Sequence, residues 1–518
     1  MIPFLICAVD PVSKGKDDQT GAFRIPRGTM SYWLSLFYRC SVVWLFAIFV
    51  VQSSCAVPDR GSTFQEIPPF GLIPEFSALR QGIATTEVTD QSALVWVRAE
   101  DMAAVEIHLF EGAPEEPIRL HGVHRLEISP ERDHTGVMPF VGLTPDRAYH
   151  YRVFTQKGKG SVSKVSDHPE AVGRFVTPPL SSASRPVRFV WGGDLGGQSR
   201  CRTPGEGYEI FTPMLKAKPD FALLLGDLIY GDDPCLSPPN LSGSDFVSTT
   251  VDQFRAKHRY QREDPALQRF LAAVPVYAIW DDHEVRNDFS GPHDPQMPAG
   301  RQAFLEYWPI EISVEAPHRL YRKVRRGLDL DVFILDTRQY RSLNGEPDGE
   351  EKTMLGRTQR NWLIEGLTSS RATWKVIVSS VSLSFQKGGT EEKPANDSWA
   401  RGRGGTGFHS ERAKVVGAIL AGHIRNVVWL TTDVHFAQVL AYDPDSDGEP
   451  DFHEFICGPL SARPLSPGPP EPSLNPTVLY EEGGFFNFGQ IDIDGSSLRL
   501  QIIDGTGATK FQFSLPAR

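Results

Sequence analysis

Several aspartates and two histidines stand where an apolar run of the chain stops. Val276 to Trp280 gives way to Asp281-Asp282-His283-Glu284-Val285-Arg286-Asn287-Asp288. Arg188 to Trp191 runs into Gly192-Gly193-Asp194, and Phe221 to Leu225 into Gly226-Asp227-Leu228-Ile229-Tyr230. Val332 to Leu335 ends at Asp336-Thr337-Arg338, and Val427 to Leu430 at Thr431-Thr432-Asp433-Val434-His435. A further run, Lys375 to Val378, ends at Ser379-Ser380. Aspartates are hard oxygen donors, and His435 adds an imidazole. Carboxylates gathered closely repel one another unless cations neutralise them. Such a set suits Fe, Mn, Zn or Ca better than a thiolate site does. Two cations a few ångströms apart can clamp a phosphate through an in-line displacement. Glycines before Asp194 and Asp227 let the backbone turn tightly where ligands must converge. Any one of these junctions alone is equally a strand followed by a charged loop; the repetition is what points to a site.

Elements that present residues in this way are buried strands whose carboxyl ends open into a common crevice. In the second half of the chain, short apolar runs alternate with helical stretches near residues 250–271, 356–367 and 410–421, which predicts an α/β layered domain. Long Gly-, Pro- and Ser-rich loops at 231–248, 386–408 and 461–476 are candidates for walls or lids of the site. After Phe485 the pattern alternates again, at 489–494 and 498–503, predicting an edge hairpin. Residues 76–177 read differently, as short alternating strands such as Ser92–Arg98 and Val105–Phe110. Gly142-Leu-Thr-Pro followed by Tyr149-His-Tyr151-Arg-Val153 resembles the tyrosine-corner region of a fibronectin-III or Ig-like sandwich. The Pro/Ser-rich stretch 178–186 marks a boundary. The expected organisation is an export or anchor region at 1–60, an Ig-like domain at 70–177 and the α/β domain at 186–515.

The chain has 518 residues and a net charge of −11, so it has no general attraction for nucleic acid or an anionic membrane. Positive charge for an anionic substrate must then be local. The six cysteines include no C-x-x-C pair. Cys201 and Cys235 lie in loops of one region, where a disulfide in an oxidising compartment is one outcome. Arg39 precedes an apolar core, Ser41 to Val51, followed by Ser53-Ser54-Cys55-Ala56, the layout of an export signal. Cleavage, lipidation at Cys55 and retention as an anchor all remain open.

In chain order, Asp194, Gly-Asp227-x-x-Tyr230, Trp-Asp-Asp282-His283-Glu-Val-Arg286-Asn and Asp433-Val-His435 resemble the PhoD-like alkaline phosphatases of the calcineurin-like metallophosphoesterase superfamily. Leu335-Asp-Thr-Arg338-x-Tyr340-Arg and Leu355-Gly-x-x-Gln359-x-x-Trp362-Leu extend the likeness, as does the Ig-like segment ahead of them. It covers roughly residues 70–515. The resemblance implies a four-layer α/β/β/α domain that hydrolyses phosphoric esters by in-line attack of a metal-bound hydroxide. It also implies individual roles. Asp194 binds a first metal, Asp227 bridges two, and Tyr230 is a phenolate ligand to ferric iron that gives a charge-transfer colour. Asp282 binds the second metal, and Asp433 and His435 complete the shell. His283 protonates the leaving alkoxide, and Arg286 holds a phosphate oxygen. The implied pair is Fe(3+) with Ca(2+), with Mn or Zn as alternatives.

Some positions depart from the broader superfamily. Asp194-Leu195-Gly196 lacks the usual Asp-x-His, and Ser379-Ser380 stand where many relatives have a histidine. Fewer imidazoles favour Fe with Ca over a di-zinc site. Cys201 is open between a disulfide and an iron ligand. The expected substrate is a small-molecule phosphate ester or a phospholipid. Membrane attachment would run through the N-terminus, and nothing indicates an oligomeric state. Rival readings are a phosphodiesterase or phospholipase-like enzyme, and a non-catalytic exported binding protein. Some residues carry alternatives of their own: Arg286 as a partner of Asp288 or Glu284, Asp336 and Arg338 as a structural pair, and Asp281 as a support.

Overall fold

Apolar runs with both faces buried need a covering layer on each side, and two stacked sheets flanked by helices supply it. The computed structural model describes residues 71–72, 78–112, 119–157, 164–236 and 238–518. The export segment expected within 1–60, with Cys55, lies outside these residues. Among the described residues no helix is long and apolar enough to cross a membrane.

One sheet is built on the parallel strands Val187–Gly192, Phe221–Leu225 and Val276–Ile279. The other is built on the parallel strands Leu330–Ile334, Trp374–Val378, Val427–Thr431 and Phe452–Ile456. Strand periodicity shows how the layers are filled. In the second sheet, Leu330, Val332, Val376, Val378, Val428 and Leu430 join the core shared with the first sheet. Their neighbours Phe333, Ile377, Val427 and Trp429 pack instead with Leu363, Leu367, Val415 and Ile419 from helices Gly356–Ser369 and His409–Ala421. Helices Phe211–Lys216 and Pro265–Ala273 cover the first sheet through Phe211, Met214, Leu267 and Phe270. The result is the α/β/β/α order expected.

Two sequence expectations change in detail. The helix expected across 250–271 is two helices, Val251–Arg262 and Pro265–Ala273. Asp264 separates them: its carboxylate accepts from the backbone N–H groups of Ala266 and Leu267, capping a helix with Pro at its first position. The C-terminal hairpin is a three-stranded run, Asn487–Asp494, Ser497–Asp504 and Thr509–Pro516. Its first strand pairs with Val187–Gly192, so the free edge falls to Thr509–Pro516.

The N-terminal sandwich closes over its own core, including Val95, Val97, Ile107, Leu109, Tyr149, Tyr151 and Phe175. Its tyrosine corner is formed, with the Thr144 N–H donating to the Tyr149 hydroxyl at 2.8 Å. One of its sheets does not stop at the 178–186 boundary. Strands Ile83–Thr86, Ser92–Arg98 and Thr135–Val141 continue the first catalytic sheet, joined by Thr86 beside Val276 in parallel register. Arg262 ties the same region together. Its guanidinium lies 4.3 Å from the Trp96 ring centroid and 3.9 Å from that of Trp308.

Candidate metal centre

Asp194 and Asp227 leave the carboxyl ends of neighbouring parallel strands, and Asp281 and Asp282 leave the next strand over. Asp433 and His435 approach from the end of Val427–Thr431 in the opposing sheet. Backbone bonds pin the first turns together, from Asp194 N to Gly226 O at 3.1 Å and from Leu195 N to Asp227 O at 2.7 Å. Gly226 is obligatory there: its φ is +96°, and a Cβ would sit 2.4 Å from that of Asp281. Asp194, Asp227, Asp433 and His435 all adopt left-handed φ, at 63°, 51°, 76° and 60°. Such backbone is uncommon outside glycine, least so for Asp, Asn and His, and clusters at functional sites.

Ligating atoms of Asp194, Asp227 and His435 lie within 4.8 Å of one another, as do those of Asp227, Asp281, Asp282 and Asp433, and those of Asp227, Asp282 and His283. Asp227 is common to all three sets. The Tyr230 hydroxyl is 3.2 Å from His435 Nε2, and its ring centroid lies 4.2 Å from that of His283, the two planes tilted by 30°. Of the predicted site residues, only Arg286 stands apart. Its side chain is 56% exposed, and its Nε donates to Asp294.

The donor set fits cations. Asp194 Oδ1, Asp227 Oδ2, Asp281 Oδ2 and Asp433 Oδ2 are buried without a hydrogen-bond partner. Unsatisfied buried carboxylate oxygens in this number require a counter-charge. The electrostatics agree. Burial pushes Asp194, Asp281 and Asp433 up to about 7. Burial, reinforced by Asp282 and Asp281, holds Asp227 well above the carboxylate range. Asp282 goes the other way: burial is outweighed by Arg338 and Lys387, and the carboxyl stays well below its ordinary value.

Surrounding groups fix orientations. His435 donates from Nδ1 to the Arg463 carbonyl at 2.7 Å, leaving Nε2 as a lone-pair donor. Burial lowers its pKa to about 4, so it is neutral. The Thr432 hydroxyl donates to Asp194 at 2.6 Å. Glu284 accepts from the backbone N–H groups of Asp227, Leu228 and Asp281 at 3.1, 2.7 and 2.8 Å, clamping two turns with one carboxylate. Asp281 accepts from Arg338 Nε at 2.5 Å and from the Ser380 hydroxyl at 2.6 Å. Asp336 is not part of the cluster. It accepts from Trp280 Nε1 at 2.9 Å and from the backbone N–H groups of Arg338 and Gln339, and its own backbone pairs with the Gln359 amide.

His283 is held by a carboxylate. Its Nδ1 is 2.6 Å from Asp232 Oδ1. Burial disfavours its charged form, yet Asp282 and Asp232 outweigh that and bring its pKa to about 9.

Four further residues matter, three that sequence patterning does not single out and Asp288, which it reads only as a partner for Arg286. Asp232 follows Tyr230 by two positions inside a loop. Asp288 binds Asp282 through its backbone N–H at 2.7 Å. Lys387 and Asp397 come from the long loop within 386–408. Asp397 receives a bidentate pair from Arg338 at 2.8 and 2.7 Å and also binds Arg341. Cys201 and Cys235 are joined in a disulfide, so Cys201 is not available as a metal ligand.

A family model described as PhoD-like phosphatase matches residues 195–502, and one described as PhoD-like phosphatase, N-terminal domain, matches residues 74–179. Alkaline phosphatase D of Bacillus subtilis (strain 168) is 29% identical over 409 residues, covering 70% of this chain. The match spans 65% of that protein, just under two thirds of its length. A solved structure titled "Structure of PhoD" superposes with a TM-score of 0.69 at 22% identity, over 86% of this chain and 92% of that one. At that identity the superposition speaks to the fold.

Proposed function

Because the chain belongs to the PhoD-like phosphatase family, we propose that it is an exported, metal-dependent phosphoric ester hydrolase acting as an alkaline phosphatase. The observation that carries the proposal is the sharing of Asp227 by three buried sets of ligating atoms, which is the arrangement two adjacent cations need. Asp194, Asp227, Tyr230 and His435 would hold Fe(3+); Asp227, Asp282 and Asp433 would hold Ca(2+), whose preference for oxygen donors this all-carboxylate set suits. When bound, the pair supplies Lewis acidity toward water and the phosphoryl oxygens. Export is supported by the Cys201–Cys235 disulfide, a bond of oxidising compartments.

The chain's own residues do the rest. Asp194, Asp227, Asp282 and Asp433 set where the phosphoryl group can sit. His283 offers a proton to the leaving alkoxide, while Asp232 holds Nδ1 and so leaves Nε2 as the donating nitrogen.

The proposal is tested by elemental analysis and a visible spectrum of the purified protein together with hydrolysis of 4-nitrophenyl phosphate. Bound iron, a visible charge-transfer band lost in Tyr230→Phe, and turnover are expected. Protein free of di- and trivalent metals and inactive after reloading would refute it. The His283 assignment predicts its own pH profile. The acid form is lost as pH rises through the His283 pKa, which the hydrogen-bonded Asp232 raises, and kcat falls there. Asp232→Asn removes one of the two carboxylates that favour the imidazolium, so the fall should move toward neutral pH with metal content unchanged. A basic limb that stays in place would exclude His283 as the acid.

A further inference from the structure

We infer that Lys387 is a substrate-binding residue of this site, donating from its ammonium group to a phosphoryl oxygen of the ester and of the orthophosphate product. The inference rests on the phosphatase proposal and adds a residue to it.

Lys387 is built into place. Its backbone N–H donates to Asn396 Oδ1 at 2.8 Å, and its carbonyl accepts from Asp397 N at 2.7 Å. Asp397 is held in turn by both terminal nitrogens of Arg338, whose Nε is on Asp281. Charge-assisted hydrogen bonds thus link Asp281, next to the proposed ligand Asp282, through Arg338 to Asp397, and a backbone hydrogen bond carries the link on to Lys387.

The side chain enters the acidic cluster. Lys387 Nζ binds Asp433 Oδ1, while Asp433 Oδ2 is buried and unpartnered. The two oxygens divide the work. Oδ2 is left for a cation, and Oδ1 keeps the ammonium beside the metal centre. An ammonium has three donors. Among the described residues, Asp433 is the sole hydrogen-bond partner of Nζ, and the side chain is 24% exposed. Donors therefore remain without a partner among the described residues. Of the neighbouring cations, Arg338 and Arg341 are fully buried on Asp281 and Asp397, and Arg286 is turned to Asp294, outside the sets of ligating atoms. In a chain of net charge −11, a phosphate dianion approaching these aspartates needs a local cation with free donors, and Lys387 supplies one.

The test is orthophosphate binding to the metal-loaded protein by titration calorimetry, with metal content measured on the same sample. Lys387→Met keeps the length of the side chain and removes its charge. It should weaken orthophosphate binding by about ten- to a hundredfold, the loss of one charge-assisted hydrogen bond, with metals retained. Lys387→Arg should recover most of the affinity. Unchanged binding in Lys387→Met, or loss of metal from it, would overturn the inference, the latter showing that the lysine serves the carboxylate shell alone. The unmutated protein gives a second readout. Orthophosphate should slow acetylation of Lys387 by acetic anhydride, read by peptide mass spectrometry, and leave exposed Lys393 on the same loop unaffected. Equal acetylation with and without orthophosphate would likewise overturn it. Neither readout requires turnover, so failure of the phosphatase proposal would appear separately, as an unmutated protein that binds orthophosphate and hydrolyses no ester.

Discussion

Asp227→Asn should empty the site of metal and lower 4-nitrophenyl phosphate hydrolysis by at least about a thousandfold. Asp227 is the one residue common to the sets around Asp194, His283 and Asp433, so its loss removes a ligand from both cation positions. Asparagine has the same shape and keeps an acceptor for the His283 N–H, which now lies 3.1 Å from Asp227 Oδ1. The fold should therefore survive. Stability should change in the opposite direction to activity. Burial, with Asp282 and Asp281 adding repulsion, holds the Asp227 carboxyl well above its ordinary range, so its charged form destabilises the cation-free fold. Without added metal, Asp227→Asn should melt above the unmutated protein; with metal, below it. Elemental analysis, a phosphatase assay and thermal melts check the three parts. A variant with full activity would remove the two-cation proposal.

Stripping metal should make stability strongly pH-dependent. In the cation-free fold Asp194, Asp281 and Asp433 titrate near 7, pushed up first by burial. In the unfolded chain an aspartate titrates near ~3.9. A carboxyl whose folded pKa is raised binds its proton more tightly in the native state. The stability this contributes is fully present below about pH 4 and is lost as pH rises through about 7. His283 adds a loss of the same sign near pH 9, its raised folded pKa. Chelator-treated protein should thus melt at least about 5 °C lower at pH 8 than at pH 5. Metal-loaded protein should show little of this slope, because bound cations replace the protons. Differential scanning calorimetry at several pH values, with and without chelator, decides. A stripped protein whose melting point is flat across this range would mean that the carboxylates are neutralised by their own arginines and lysine.

The parts of the molecule legible in the sequence are those where burial imposes a pattern. Val276–Ile279 and its neighbours read as buried strands because both faces are covered, and their polar ends read as a site because charge cannot continue into a core. The tyrosine corner was legible because its turn and its Tyr149 lie close together in the chain. What patterning misses depends on distant partners. Lys387 and Asp397 sit in a loop with no apolar period, and nothing local reports that Arg338 reaches Asp397 across 59 positions. The break at Asp264 is marked in the chain only by the Asp-Pro pair that starts the second helix. The merging of sandwich and catalytic sheets rests on a single register pair, Thr86 beside Val276, which no local signal announces.

The left-handed backbone at Asp194, Asp227, Asp433 and His435 also bears on how such a site can change over generations. At each of these positions Asp, Asn, His and Gly fit the turn with least strain, whereas β-branched and bulky side chains fit poorly. Glutamate, chemically the nearest relative of aspartate, lacks the short side chain that eases this conformation. The metal preferences of the site can therefore drift only within a short alphabet, by exchanging carboxylate, amide and imidazole at fixed points. Selection can retune which ions are held while the turns that hold them stay unchanged.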